Sequence, residues 1–564
     1  GILGVATYLR FRYAFFEGVW VDEGRYGRIA LDIAAHPLDY STAEPWLGTI
    51  TGIPPVFPYL LAFFTYIIPD PNVAIRVVSP LMSIIAVGVT YKLGEIFRSE
   101  ETGLIAAGLL AIAPTFWFMS NRILIGTTLA AVYSATLLAL YYGLEDREYS
   151  KYALYALGPL TAISLMTMQR AYSLGPVMLV YFIYRKKDEL RELVNDFSID
   201  NIHPEFKHLG VGVGLATITL IPWSLRNMTT CGFPLCGLLR ALDFASRGAG
   251  GINDAVFSVQ GNLYFLTNLH RIVAIPIAAL VFIRIAYYLV KRSDDFDFLI
   301  KYGVVVAVLG GLALIVKQSL IAMVLLTTVA ILPHKNYEKF LWLWIGFGIG
   351  FVSIAPIKVP RYIINVIPAL ALVGAIMMLD IKEWADKVNG PRVGWAVLGV
   401  LILFSLGLTF PLGLSSAQSM NSNTGYSVLE PAGKWVDANT SEDARLIATS
   451  KTAMMFYAYP RVATFPDKNR SDFEEYIIEN NVTHVEVDTY EKSQPNWMQY
   501  QVAPYRVPNE EQQRLRAAAR QGGRQAYDQV AGQISQRFQR NPGYLVPIAT
   551  FGRERAPLTR NNQI

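Results

Sequence analysis

Val19-Trp20-Val21-Asp22-Glu23-Gly24-Arg25-Tyr26 closes the first apolar stretch of the chain with two adjacent carboxylates. On either side of it the sequence is written for a bilayer. Of the 564 residues, 53% are hydrophobic and 16% charged, and the mean hydropathy is +0.32. That is too apolar for a soluble enzyme of this length. Runs able to cross about 30 Å of hydrocarbon recur from the N-terminus to about residue 414. Acids at the mouth of such a bundle are costly to desolvate, so the pair invites a chemical explanation. The net charge is only +5 and the basic residues are scattered, which leaves no footprint for nucleic acid.

Working outward, the pattern predicts thirteen spans: 2–20, 73–97, 103–119, 123–143, 152–168, 171–184, 209–225, 272–290, 300–316, 319–333, 339–357, 362–379 and 393–414. Only Ile2 to Leu9 precede Arg10 and Arg12, so N-terminal residues of the first span are expected to be missing, with a cleaved signal peptide as the rival reading. The apolar segment 55–69 is short and opens with Pro54-Pro55 and Pro58, which suits a helix lying in the interface. With thirteen spans one set of loops collects Arg98, Arg147, Lys151, Arg185-Lys186-Lys187, Arg191, Lys291-Arg292, Lys335, Lys339, Lys382, Lys387 and Arg392. Short loops rich in Lys and Arg stay cytoplasmic. The opposite, extracytoplasmic face then holds 21–72, 226–271 and everything beyond 414, and the plasma membrane is the expected location.

Asp22 and Glu23 fall on that outer face, together with Arg122, Arg170, Arg226 and Arg361 at helix ends. Terminal arginines often snorkel to headgroups. Four of them on the face that carries the acids also suit an anionic headgroup, because guanidinium binds phosphate bidentately. Arg76, Arg284 and Lys317 lie near enough to helix ends to snorkel, and no internal repeat is visible, which argues against a secondary transporter or lipid flippase, the main rival reading.

Several motifs in order carry a resemblance. Val21-Asp22-Glu23-Gly24-Arg25-Tyr26-Gly27-Arg28-Ile29-Ala30, Pro54-Pro55, Ala74-Ile75-Arg76-Val77-Val78-Ser79, Pro222-Trp223-Ser224-Leu225-Arg226-Asn227 with Gly232-Phe233-Pro234, and Arg361-Tyr362-Ile363-Ile364-Asn365 resemble motifs of membrane glycosyltransferases of the C superfamily. The families in view are the protein O-mannosyltransferases and the lipid A aminoarabinose transferases. The resemblance covers about residues 1–414 and implies a polytopic α-helical membrane protein of about thirteen helices, with interfacial helices in the first outer loop. It implies a polyprenyl-phosphate sugar as donor, a glycan, lipid or protein as acceptor, membrane lipids as surroundings, and inversion at the sugar. It places Asp22 as general base with Glu23 beside it, and Arg170, Arg361, Arg226 and Arg122 on the donor phosphate. Tyr26, Asn227 and Tyr362 become substrate contacts. Relatives often carry a second acid about five positions after the arginine matching Arg122, where this chain has Thr127. Some C-superfamily enzymes need a divalent cation, Mg or Mn, but no His/Cys/Asp cluster with ligand spacing is present.

For Glu23 the competing role is to cap or orient a helix beginning near Gly24, since an acid is favourable at a helix N-terminus. Tyr26 lies one turn beyond Asp22 and also suits packing, and His36-Pro37 reads as a turn. The only cysteines, Cys231 and Cys236, fall in the outer loop 226–271, where a disulfide is one reading and zinc is disfavoured for want of histidine partners. The stretch Ser246-Arg247-Gly248-Ala249-Gly250-Gly251 reads as a linker. Beyond 414 a small α/β domain, 415–496, is expected, with helices near 430–439 and 472–480 and strands near 445–449 and 483–488. The tail 497–564 is rich in Arg and Gln, with a helical stripe at Tyr527, Val530, Ile534 and Phe538.

Overall fold

The structure, a computed structural model, describes residues 1–15, 19, 21–38, 43–44, 48–49, 53–145, 147–195, 203–236, 238–239, 259–355, 358–422, 429–441, 443–448, 451–458, 462–464, 470–486 and, in the tail, 514, 517–518, 525–526 and 529–530. The stretch Ser246 to Gly251 and the stripe residues Tyr527, Ile534 and Phe538 lie outside the described residues. The chain divides into two compact units, Gly1–Phe15 with Thr51–Met420 and Phe16–Ile50 with Asn421–Ile564. The segment 21–72, read from sequence as one loop of the membrane domain, is thus split between them.

The first unit is helical. Pro71–Phe97, Pro204–Thr229, Phe296–Val316 and Pro391–Ser416 are long and apolar enough to cross a membrane, and Glu100–Ile112 with Pro114–Ser120, bent by 66°, makes a fifth if the pair is one span. Thirteen unbroken spans are therefore not what the described residues form. The reason is local. The run 171–184 opens with a 3-10 turn, Gln169–Ser173, before helix Leu174–Arg185. The run 319–333 divides into Gln318–Leu320, Ile321–Thr328 and Val329–Ile331, and 362–379 begins with turn Pro360–Ile363 before Ile367–Asn389. Gly126–Gly143 and Asn336–Ser353 are buried on nearly every side and face other helices, so they tolerate more Thr, Ser, Tyr and Gly. By contrast Pro204–Thr229 and Phe296–Val316 expose apolar side chains such as Ile218 and Ile315, the surface a lipid-facing helix presents.

Close packing sets the bundle. Ser150–Leu165 lies against Pro204–Cys231, with Gly158 and Gly212 at the crossing, where a methyl group on either would overlap the other helix's backbone. Arg10, fully buried in helix Ile2–Ala14, donates to Ser83 Oγ at 2.7 Å and Ala111 O at 2.9 Å, tying the first helix to two others. Arg284 departs from the sequence reading. It does not snorkel: it is 3% exposed, donates to Glu338 at 2.8 Å, pairs with Asp380, and its Nε reaches Tyr288 Oη at 2.9 Å. Arg98 joins the same network through Asp380 at 2.5 Å and through Glu383. Four helices are riveted there because buried charges persist only when paired. Arg76 is also buried, at 6% exposure, instead of reaching an interface.

In the second unit, helix Val21–Ala35 belongs with helices Leu429–Asn439, Lys451–Ala458 and Arg470–Glu479, the antiparallel pair Ala43–Glu44 and Gly48–Thr49, and a sheet of three short strands. The strands run parallel in the order Val462–Thr464, Leu446–Ala448, His484–Glu486, with Ile447 opposite both Ala463 and Val485. Leu446, Ile447 and Ala448 are fully buried, as a central strand requires. Helix Lys451–Ala458 and strand Val462–Thr464 are elements the sequence reading does not anticipate.

Candidate active site

In the first unit the basic residues at helix ends are collected by backbone geometry. Three 3-10 turns, Gln169–Ser173, Gln318–Leu320 and Pro360–Ile363, each follow an extended residue: Met168 (φ −160°, ψ 149°), Lys317 (φ −164°, ψ 113°) and Val359 (φ −131°, ψ 148°). An extended residue turns the chain sharply, and the tight turn that follows presents its side chains close to the helix start. Helix Asn336–Ser353 packs against all three turns. It can approach because Gly348 faces Val366, where a Cβ would collide with the valine side chain.

Arg170 is the keystone. It is 9% exposed, and its Nη1 donates to the carbonyl oxygens of both Arg361 and Tyr362 at 2.9 Å. Its Nη2 lies 2.9 Å from Met168 Sδ, and the guanidinium sits 5.0 Å from the Tyr362 ring centroid. Behind it, Ser173 Oγ donates to Arg170 O at 2.8 Å and lies 3.0 Å from Tyr133 Oη, while Trp344 Nε1 donates to Asn365 O at 2.9 Å. One arginine thus locks two turns 191 residues apart in sequence. Residues 170, 361 and 362, singled out separately in the sequence, form one cluster.

Arg122 is 5% exposed. Its loop joins helices Pro114–Ser120 and Gly126–Gly143; the first packs on turn Pro360–Ile363, and Gly126 faces Ile364. Arg226 lies near the end of helix Pro204–Cys231 with its guanidinium 4.9 Å from the Trp223 ring centroid. Asn227 is 1% exposed and its Nδ2 donates to Pro234 O at 2.9 Å, which ties the helix end to the following turn. Gly232 (φ 72°) ends that helix in the left-handed conformation that favours glycine. Cys236 is disulfide-bonded, and Cys231 is the only other cysteine in the sequence.

Sequence reasoning missed Lys358, three residues before Arg361, and gave Lys317 only a snorkelling role. Burial and the neighbouring charge of Lys317 hold the Lys358 amine below the usual lysine range, while its Nζ donates to Ala355 O at 3.1 Å. Two ammonium groups close enough to repel strengthen the positive field at these turns. The available signal was a lysine at a predicted helix end, which by itself separates nothing from snorkelling.

In the second unit, Asp22 and Glu23 occupy the first turn of Val21–Ala35. The helix starts at Val21 rather than near Gly24, so both acids lie inside its N-terminal turn, where the helix dipole favours negative charge. Asp22 is half-buried and Glu23 is fully buried. Tyr26 falls one turn after Asp22 on the same side, and Arg28 pairs with Asp32 further along. His36 and Pro37 lead into a turn. Among the described residues no three His, Cys, Asp or Glu side chains group as a metal site.

Residues 53–197 match the family model of dolichyl-phosphate-mannose-protein mannosyltransferases. That stretch contains Arg76, Arg122 and Arg170. The fold is similar to that of ArnT from Cupriavidus metallidurans, solved bound to undecaprenyl phosphate, with a TM-score of 0.53, 15% identity, and coverage of 86% of this chain and 88% of that one. It is also similar to the archaeal oligosaccharyltransferase AglB from Archaeoglobus fulgidus, solved in complex with an inhibitory peptide and a dolichol-phosphate, with a TM-score of 0.53, 13% identity, and coverage of 86% and 68%. No curated protein sequence matches the chain. The chain therefore shares the helical fold of these two solved proteins, and over residues 53–197 it matches the mannosyltransferase family model.

Proposed function

We propose that the chain is an integral-membrane glycosyltransferase that moves a sugar from a polyprenyl-phosphate donor to a glycan, lipid or protein acceptor on the extracytoplasmic face of a plasma membrane. The observation that carries this reading is the Arg170 keystone: a nearly buried guanidinium binding two consecutive backbone carbonyls beside Arg361, within a fold shared with lipid-phosphate-bound ArnT. A cation so held is preorganised for an anion whose charge grows during reaction.

In the step itself an acceptor oxygen attacks the anomeric carbon, and the bond from that carbon to the phosphate oxygen breaks. The electron pair leaves with the polyprenyl phosphate, and the acceptor proton passes to the Asp22 carboxylate. A single base with no covalent nucleophile gives inversion. Arg170 and Arg361, with Arg226 and Arg122 in support, stabilise the charge developing on the leaving phosphate, worth about 3 kcal/mol for a well-placed donor. A divalent cation held at Asp22 would supply further charge neutralisation.

The test is transfer of labelled sugar from polyprenyl-phosphate donors by purified protein, wild type beside Asp22→Asn. A general base contributes about 10²–10⁴-fold, so Asp22→Asn should lose at least 100-fold in turnover with donor binding retained. Equal turnover in the two proteins would remove Asp22 from the chemistry. Absence of binding to any polyprenyl-phosphate sugar would defeat the transferase reading itself and favour transport.

A further inference from the structure

The acidic pair is held by a part of the chain that lies far from it in sequence. Residues 16–50 belong to the same compact unit as 421–564. Among the described residues, the element packed closely on helix Val21–Ala35 is helix Lys451–Ala458. The buried face of the first helix runs through Glu23, Gly27, Ala30 and Ile33, at 0%, buried, 0% and 3% exposure, the spacing of one helical stripe. Glycine and alanine in that stripe let two backbones come close. Helix Lys451–Ala458 buries Met454 and Ala458, one turn apart, and its Tyr457 lies against Gly433 of Leu429–Asn439. The second helix is thus itself anchored to the sheet and to a third helix.

Successive residues on a helix point about 100° apart, at 3.6 residues per turn. Fixing Glu23 inward therefore fixes the direction of Asp22, which stays half-exposed beside it. We infer that helix Lys451–Ala458 is the positioning element for the acidic pair, with Gly27 and Met454 as positioning residues, so that the C-terminal segment sets the reach of Asp22. This rests on the reading of Asp22 as base given above. Glu23 takes a distinct role in it: a buried orienting acid rather than a second catalytic group.

Gly27→Leu tests the inference on the full-length protein. Three readouts are taken together: amide hydrogen exchange of residues 21–35 and 451–458, affinity for polyprenyl phosphate, and the kcat and donor KM of sugar transfer. Exchange should quicken in both helices and kcat should fall at least 10-fold, with affinity and donor KM within twofold of wild type. Gly27→Ala, with one added methyl, should restore most of the activity. Met454→Gln, a buried position of the second helix, should reproduce the pattern and guards against a local folding defect at Gly27. The inference is overturned if exchange quickens only in 451–458, or if both helices loosen and kcat stays within twofold. Wild-type protein that transfers no sugar would defeat the transferase reading instead, and the exchange data would still decide whether one helix holds the other.

Discussion

Arg170→Lys separates charge from geometry at the site. Both side chains are cationic, but the guanidinium presents five N–H groups in a planar fork, whereas an ammonium has three in a tetrahedral array. In the structure Nη1 serves the carbonyls of Arg361 and Tyr362 and Nη2 meets Met168, so a lysine that kept these contacts would have none left for a phosphate. It also loses the planar stacking on Tyr362. Hydrogen bonds from a charged donor are worth about 1.5–3 kcal/mol each, and losing one equivalent corresponds to roughly 10- to 150-fold in affinity. Titration of polyprenyl phosphate into detergent-solubilised protein should show a loss of that size for Arg170→Lys and a larger one for Arg170→Ala. Arg361→Lys should be milder, because Arg361 contributes its backbone carbonyl to the lock and that group survives the substitution. Binding within twofold of wild type in Arg170→Lys would refute the reasoning. So would Arg361→Lys being the more damaging of the two.

The buried charge network makes a stability expectation: Arg284→Met leaves Glu338 and Asp380 without their shared cation and should cost about 3–5 kcal/mol, read as a shift in denaturant midpoint. Lys434→Met at the exposed pair with Glu430 should stay within about 0.5 kcal/mol. Donor binding should weaken on the alkaline side at lower pH than an ordinary lysine would cause. Lys358 is held below the usual lysine range by burial and by Lys317, its charge is present below its pKa and lost as pH rises through it, and Lys358→Arg should flatten that limb of the binding-versus-pH curve. Cys236→Ser should lower the thermal midpoint under oxidising conditions and leave it unchanged under reducing ones, because only the oxidised wild type holds the cross-link.

What could be read from the chain alone follows from the range of each signal. Apolar runs report burial or lipid, so the helical class of the chain was legible, as were Arg170 and Arg361 as charges near helix ends. The breaks at Met168, Lys317 and Val359 were not, since an extended residue followed by a 3-10 turn has no strong composition of its own. Arg284 looked like a snorkelling residue because its acids lie 54 and 96 positions away. The hydrogen bond of Asn227 to Pro234 was not legible, because it depends on the glycine turn between them. Lys451–Ala458 is eight residues long and carries too few periods for its apolar face to stand out.

The Arg284 network also has a consequence for how the protein is made. Helix Ile275–Lys291 leaves the ribosome carrying an arginine whose two acids are still unsynthesised, Glu338 in Asn336–Ser353 and Asp380 in Ile367–Asn389. A lone arginine at the centre of a helix costs roughly 2.5–3.5 kcal/mol on insertion scales, a debt cleared only when both later helices arrive. During translation this helix is therefore a provisional occupant of the membrane, waiting at the insertion machinery for its partners. A chain cut short before Asp380 would present quality-control proteases with a charged, half-settled helix, and incomplete copies would carry their own signal for removal.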